Sequence, residues 1–436
     1  MNCLSPVCLL LHAVWFYLIL AKMKKHFLTL IIALMPLSAM AWHQIKTPRV
    51  KSLQVILNDD FEALPVLKLH SNDVLTIGFD ELSHNYHRFI CHVEPCNPDW
   101  TPLEGLFESD WLSGLNDQPI EDYENSINTT VMYTHYEFLF PNETTNVRIS
   151  GNYRLHIIDE DMPDEDAIVV ELRVVEPLTN VGLGVTTNTD IDLNDSHQQV
   201  EMTVRLNGLR VLRPDEEIQT MVMQNGREDN MKVNIAPTYI TPQALKWEHN
   251  RRLIFDAGNE YHKFEVLDPH HITMGLADVM WDEETRSWHA VPYPCTASKS
   301  YEYDEDANGA FLLRNSDNYE ASRTSEYVYV HYHLKPLRIY DDAIVRLNGR
   351  WATENSGNYI MTYQEETQTY QACILQKLGY YNYQMVLCDM DGTVHALPEE
   401  GSYFQTENKY EAFVYYKGTG ARAWRLVGFQ EVTFRP

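Results

Sequence analysis

Val200, Met202, Val204 and Leu206 alternate with Glu201, Thr203 and Arg205, and this two-residue period constrains the fold more than any other feature of the chain. A period of two puts successive side chains on opposite faces of a pleated ribbon, one against a core and one in water. Tyr327-Val-Tyr-Val-His-Tyr-His333 and Tyr380 to Leu387 repeat the pattern. Between such runs stand Asn207-Gly208, Asn225-Gly226, Asn308-Gly309 and Asn348-Gly349, dipeptides that accept the positive φ angles of hairpin turns. No long stretch of helical period carries caps at both ends. Aromatic residues make up 11% of the chain, with 26 Tyr, and they suit half-buried strands. The expected fold is all-β, as three tandem immunoglobulin-like β-sandwich domains after a signal peptide.

Boundaries follow from where strand runs stop, because no Gly/Ser-rich or Pro-rich linker exists. Residues 1–41 read as a targeting region, 42–177 as the first sandwich, 178–297 as the second and 298–436 as a C-terminal early-set domain. From Met23 the chain runs Met-Lys-Lys-His, an apolar stretch from Phe27 to Leu37, then Ser38-Ala39-Met40-Ala41. That is a charged start, a greasy centre and a small-residue cleavage site, so cleavage is expected after Ala41, with Met23 as the true start. Lys22, Lys24 and Lys25 leave with this region. Three of 34 basic residues are lost against an unchanged 62 acids, and the net charge moves from −28 to about −31. A charge of that sign repels phosphate backbones and anionic lipid, which argues against nucleic acid and direct lipid insertion.

Candidate chemistry is sparse. Asp304-Glu-Asp306-Ala-Asn308-Gly309 fits the first half of a calcium loop, but Asn315 stands at its twelfth position and a charged turn explains the same residues. His331 and His333 share a strand face and could share a metal; Tyr327 and Tyr329 on that face favour an aromatic ladder. His84, His87 and Cys91 form a looser group. Cys91, Cys96, Cys295, Cys373 and Cys388 remain after residue 41, an odd number, with Cys91–Cys96 open as a local bridge. Nucleophile elbows, phosphate loops and zinc-helix motifs are missing. We therefore expect no catalytic, cofactor-binding or metal residues, no cofactor, no small-molecule substrate and no enzyme activity. The alternative is a carbohydrate-binding or other ligand-binding module of the cell envelope, with Trp351 as a sugar platform in Asn348-Gly-Arg-Trp351.

Several short words recur in a specific order. The first block carries Pro95-Cys-Asn-Pro-Asp-Trp100, Trp111-Leu-Ser-Gly-Leu-Asn116, Asp122-Tyr-Glu-Asn-Ser126, Tyr133-Thr-His-Tyr-Glu-Phe138, Phe140-Pro-Asn142 and Ser150-Gly-Asn-Tyr153. Gln224-Asn-Gly-Arg-Glu-Asp-Asn230, Asp256-Ala-Gly-Asn-Glu260, Thr324-Ser-Glu-Tyr-Val-Tyr-Val330 and Lys377-Leu-Gly-Tyr-Tyr-Asn-Tyr383 follow. The tail adds Glu400-Gly-Ser-Tyr-Phe-Gln-Thr-Glu-Asn408, Tyr410-Glu-Ala-Phe-Val-Tyr-Tyr-Lys417 and Arg422-Ala-Trp-Arg-Leu-Val-Gly428. Together they resemble the plug protein family of the type IX secretion system over about residues 47–434. Pro98, Leu378 and Trp424 depart from the family's usual residues without removing a group its role requires. The resemblance implies a periplasmic protein, associated with the outer-membrane complex, that occludes the translocon barrel when no substrate is engaged. A barrel of about 36 strands would leak if left open. Each domain of about 130 residues is roughly 36 Å across, so three together could cover a wide mouth. That reading works by bulk and shape, and converging ionisable groups in a deep pocket would count against it.

Overall fold

A computed structural model describes residues 43–354 and 356–435. The expected signal region, its cleavage site and the choice between Met1 and Met23 lie outside the described residues. Everything described belongs to one compact unit. It is all-β, with only single-turn helices between strands, as the period-two pattern predicts. No helix of the described residues is long and apolar enough to cross a membrane.

Three hydrophobic cores organise the unit. The first lies between a sheet ordered His43–Ile45, Asp166–Val175, Gly151–Asp159, Phe89–Cys96 and Gln118–Pro119, and a sheet ordered Val50–Leu57, Leu75–Glu81, Thr134–Phe140 and Asp122–Asn125. Phe79, Phe89, Tyr136, Leu155 and Ile157 fill it. Alternation along Phe89–Cys96 sends Phe89, Cys91 and Val93 inward, while Ile90, His92 and Glu94 are half-buried.

The middle core joins Asn180–Thr186, His197–Arg205, Ala244–Trp247 and Tyr239–Ile240 to a second sheet ordered Arg227–Val233, Ile218–Gln224, Asn408–Tyr416 and Arg425–Phe434. This corrects the expected boundaries. Residues 408–434 do not complete the C-terminal domain; they pair with Ile218–Gln224, Ile218 facing Tyr416 and Gln224 facing Tyr410. The third body starts before residue 298, because His262–Val266 pairs with Gly379–Asp389. Ser287–Pro292 likewise lies parallel to Tyr327–Leu334. Nothing local in sequence marks a strand whose partner lies beyond an intervening body, so a reading by contiguous blocks cuts in the wrong place.

The turns also differ from expectation. Asn225-Gly226 closes a two-residue hairpin, with Gln224 facing Arg227 and φ of 57° and 66°. Asn207-Gly208 and Asn308-Gly309 take positive φ as well, but neither connects paired neighbours. Asn348-Gly349 is absent from the left-handed positions among the described residues. Instead, a β-carbon on Gly349 would lie 2.5 Å from the Trp351 indole nitrogen and 2.8 Å from the Asn382 carbonyl oxygen. Close approach, not turn geometry, calls for glycine there.

Candidate functional site

The strand Asn408–Tyr416 is buried on both faces. Tyr410, Ala412 and Val414 enter the middle core. Phe413 and Tyr415 face the other way, into a small fourth core with Leu64, Val66, Val175, Met221, Met223 and Leu426 that welds the first body to the middle one. Beside it, the fully buried Arg173 guanidinium lies 4.9 Å from the Trp100 ring centre and 4.7 Å from that of Phe413. Its Nε donates to the Tyr415 hydroxyl at 3.3 Å, and Nη2 reaches Glu228 at 3.0 Å. Tyr415 in turn donates to Asn152 Oδ1 at 2.7 Å. Arg425 Nε donates to Ser150 Oγ at 3.0 Å. Burial, with the Glu228 charge nearby, pushes the Glu171 carboxyl up to about 7 although Arg154 donates to it at 2.8 Å.

A second joint, between the first and third bodies, is polar. Lys377 Nζ and Asp80 Oδ2 are 2.7 Å apart, both side chains buried. Asp80 also accepts from the Tyr327 hydroxyl at 2.6 Å and contacts His135 Nδ1 at 2.7 Å, so both its oxygens are occupied. Lys377 donates to the Ser322 carbonyl at 2.6 Å and sits 4.0 Å over the Tyr133 ring. The Tyr133 hydroxyl donates to the Ser325 carbonyl at 2.8 Å. Glu326 accepts from the Thr130 and Val131 amides at 2.6 and 3.2 Å. Burial opposes the Asp80 charge, but Lys377 and His135 together hold it below the usual carboxylate range. For Lys377 burial wins, and its amine falls below the ordinary lysine value.

A third joint is the double crossover between the middle and third bodies. Gly258 N donates to Ser402 Oγ at 3.0 Å, Asn259 Nδ2 to the Glu400 carbonyl at 3.0 Å and Ser402 Oγ to the Ser196 carbonyl at 2.6 Å. Where all three bodies meet lies a cavity of about 90 Å³ whose lining includes Leu64, Gly226, Asn308, Gly309 and Arg350. Arg350 spans it, donating from Nη1 to the Glu62 carbonyl at 2.7 Å and from its amide to the Gly309 carbonyl at 2.8 Å.

The recurring words supply many partners at these joints, although Asp80 and Arg173 stand outside them. Trp100, Asn152 and Ser150 serve the first joint; Tyr133, His135, Glu326, Tyr327 and Lys377 form the second; Gly258, Asn259 and the segment 400–408 form the third. Individually weak strings of sequence become contacts between bodies.

The residues weighed for chemistry fall elsewhere. Asp306 accepts from the Tyr261 amide and, at 2.6 Å, from the Asn308 amide, so its carboxylate ties a turn rather than opening a calcium loop. Burial pushes its carboxyl up to about 7. Of the expected ladder, Tyr327 is buried in the polar joint, while Tyr329, His331 and His333 remain half-buried. His331 meets His289 rather than His333, at 2.7 Å, with Cys373 Sγ 3.9 Å away. His289 sits on a neighbouring parallel strand that spacing could not reveal. His84 bonds the Ser126 carbonyl at 3.2 Å. His87 sits 3.5 Å from Asp159 and 3.6 Å from Asp161, but Arg49 already holds Asp159 at 2.9 Å. All five cysteines among the described residues are free thiols. Cys91 and Cys96 lie five residues apart along one extended strand, roughly 16 Å, which no disulfide spans. Trp351 is buried against Tyr332, its ring centre 5.9 Å away, and donates to the Asn382 carbonyl at 2.8 Å. It presents no face to a sugar. One ionisable cluster escaped the sequence reading: His262, Cys295 and Glu400 converge, and the three-body cavity is itself lined by Arg227, Asp229, Arg346 and Arg350.

The fold and its joints define an all-β protein of interlocked bodies. Residues 50–176 match the family of the type 9 secretion system plug protein 1st domain. The structure is similar to a crystal structure of a hypothetical protein from Parabacteroides merdae ATCC 43184, with a TM-score of 0.86 and 31% identity, covering 91% of this chain and 100% of that one. No curated protein matches the sequence. The chain belongs to the type 9 secretion system plug protein family.

Proposed function

We propose that this chain is a periplasmic plug, exported through a signal region, that occludes the periplasmic end of the type IX secretion barrel in the outer membrane. In this reading three immunoglobulin-like bodies, the middle one discontinuous in sequence, act as one block. The protein binds the barrel and carries out no catalysis. Family membership gives the secretion role its starting point. The observation that carries the finer reading is the position of the shared words at buried joints: the chain invests its most recognisable residues in holding a shape. A stopper needs that property, because a block that flexed between bodies would leave gaps at a wide mouth. A strongly acidic chain also suits a contact that must later release, since barrel lumens are polar.

The test is isolation of the tagged chain from native outer membranes after mild cross-linking. A very large barrel protein should copurify in near-equal amount. Recovery of the chain without any such barrel overturns the proposal. A companion strain lacking the chain should admit large hydrophilic dyes across its outer membrane, and a Lys377→Ala chain should restore the barrier poorly. The sugar-binding alternative loses its platform with Trp351 buried.

A further inference from the structure

We propose that His262, Cys295 and Glu400 form a binding site for a divalent transition metal, zinc by chemical preference, that clamps together the two chain segments entering and leaving the third body. Three ligand types converge from distant parts of the chain: an imidazole at the start of His262–Val266, a thiol beside the strand Tyr327–Leu334 and a carboxylate from the returning segment. One candidate ligand atom from each lies within 4.8 Å of both others. His262 Nε2 and Glu400 Oε2 are 2.8 Å apart, and Cys295 Sγ is 3.9 Å from Glu400 Oε1. Tetrahedral zinc, with bonds of about 2.0–2.3 Å, separates neighbouring ligand atoms by about 3.3–3.6 Å. The imidazole and the Oε2 carboxylate oxygen must open by roughly half an ångström, while the thiol stands near the other oxygen, Oε1.

The supporting contacts are already in place. Glu400 Oε1 accepts from the Met385 amide at 3.1 Å, and the Glu400 carbonyl accepts from Asn259 at 3.0 Å. The Cys295 backbone is fixed on both sides, its amide donating to the His333 carbonyl at 2.8 Å and its carbonyl accepting from the Lys335 amide at 2.9 Å. The His262 ring rests 5.3 Å from that of Tyr383. Thiolate and carboxylate supply two negative charges, which a divalent ion neutralises with a neutral imidazole. A thiolate among the donors favours zinc over magnesium or calcium. Cys295 and Glu400 are buried, while the His262 side chain is a third exposed and gives an ion a way in.

Position gives the site its consequence. The chain passes from the middle body into the third just before His262 and returns just after Glu400. An ion held by both residues would bind the two crossing segments together, through Cys295, at the point where the bodies would otherwise pivot. A hydrogen-bonded His–Glu pair beside an inert thiol is the competing description.

The experiment loads residues 42–436 with Co²⁺ or Zn²⁺ in a Cys373→Ser background, which removes the thiol beside His331. We expect one ion per chain after gel filtration, and a thiolate-to-cobalt charge-transfer band. X-ray absorption of the zinc form should show one sulfur at about 2.3 Å among nitrogen and oxygen neighbours at about 2.0 Å. Glu400→Gln should weaken binding at least tenfold, and Cys295→Ser should abolish the cobalt band. Substoichiometric loading, a zinc shell without sulfur, or a band that survives Cys295→Ser overturns the site. The spectra of protein unaltered at the three ligands decide the matter even where the variants fail to fold. Barrel binding is not measured, so failure here leaves the plug reading standing, and the reverse also holds.

Discussion

The first body is held to its two neighbours by different means. Against the middle body it uses mainly apolar packing around Phe413 and Tyr415, with one buried guanidinium, Arg173, stacked between aromatic rings and paired at its edge with Glu228. Against the third body it uses a buried ion pair with every visible partner arranged around it. An apolar joint tolerates approximate fit and gains from area alone. A buried charge pair gains little over a greasy contact of the same shape, yet losing one partner costs heavily. The first joint therefore supplies adhesion, whereas the second enforces one arrangement.

The largest test of that contrast is Lys377→Ala, which leaves Asp80 charged and buried. Unfolding in urea should show a loss of about 3–5 kcal/mol. The paired change Asp80→Leu with Lys377→Met should recover most of it, and failure to recover would mean that the pair contributes adhesion after all. Next, Tyr415→Phe removes a hydroxyl shared by Arg173 and Asn152 without opening a cavity. It should cost about 1–3 kcal/mol in the same measurement.

Acidity separates the joints further. Glu411 lies on the same face of its strand as Phe413, and burial followed by the Glu431 charge raises its carboxyl from 4.5 to about 8. The native state then holds a proton that the unfolded chain releases, so its contribution is complete below 4.5 and disappears as pH rises through about 8. Asp80 runs the other way: its carboxyl is held below 3.8, so its contribution is present above that value and lost as pH falls through the lowered one. Urea midpoints across this range should decline toward alkaline pH in the parent and less steeply in Glu411→Gln, where the raised Glu171 and Asp306 carboxyls still contribute, while Asp80→Asn leaves the alkaline decline intact. The smallest effect is expected for Arg422→Ala. Its pair with Asp110 at 3.1 Å is mostly exposed, and the change should fall within about 0.5 kcal/mol.

The all-β character was legible because alternation is a local property, visible in Val200–Leu206 without any partner. Asn225-Gly226 announced its hairpin for the same reason. The discontinuity of the middle body was not legible. Tyr410-Glu-Ala-Phe-Val-Tyr-Tyr416 reads as an aromatic strand, and only its pairing with Ile218–Gln224 discloses which body it completes. Its two buried faces do leave a trace, in the near absence of polar residues between Ala412 and Tyr416, but that trace does not name the neighbours. The joints were legible only as strings. Asn152 and Lys377 looked like ordinary polar residues until Tyr415 and Asp80 were placed beside them. His262, Cys295 and Glu400 were missed because no motif spacing links residues so far apart.

The return of Asn408–Tyr416 to the middle body also sets an order of events. Domains generally fold in the order in which they are made, but this one lacks two strands of its sheet until the entire third body has been synthesised. A chain cut short anywhere before residue 408 would leave Ile218–Gln224 with a bare hydrogen-bonding edge and Leu64, Met221 and Met223 uncovered, a surface that proteases and chaperones recognise. Completeness is thus checked by the topology itself: only a fully delivered polypeptide can present the finished block.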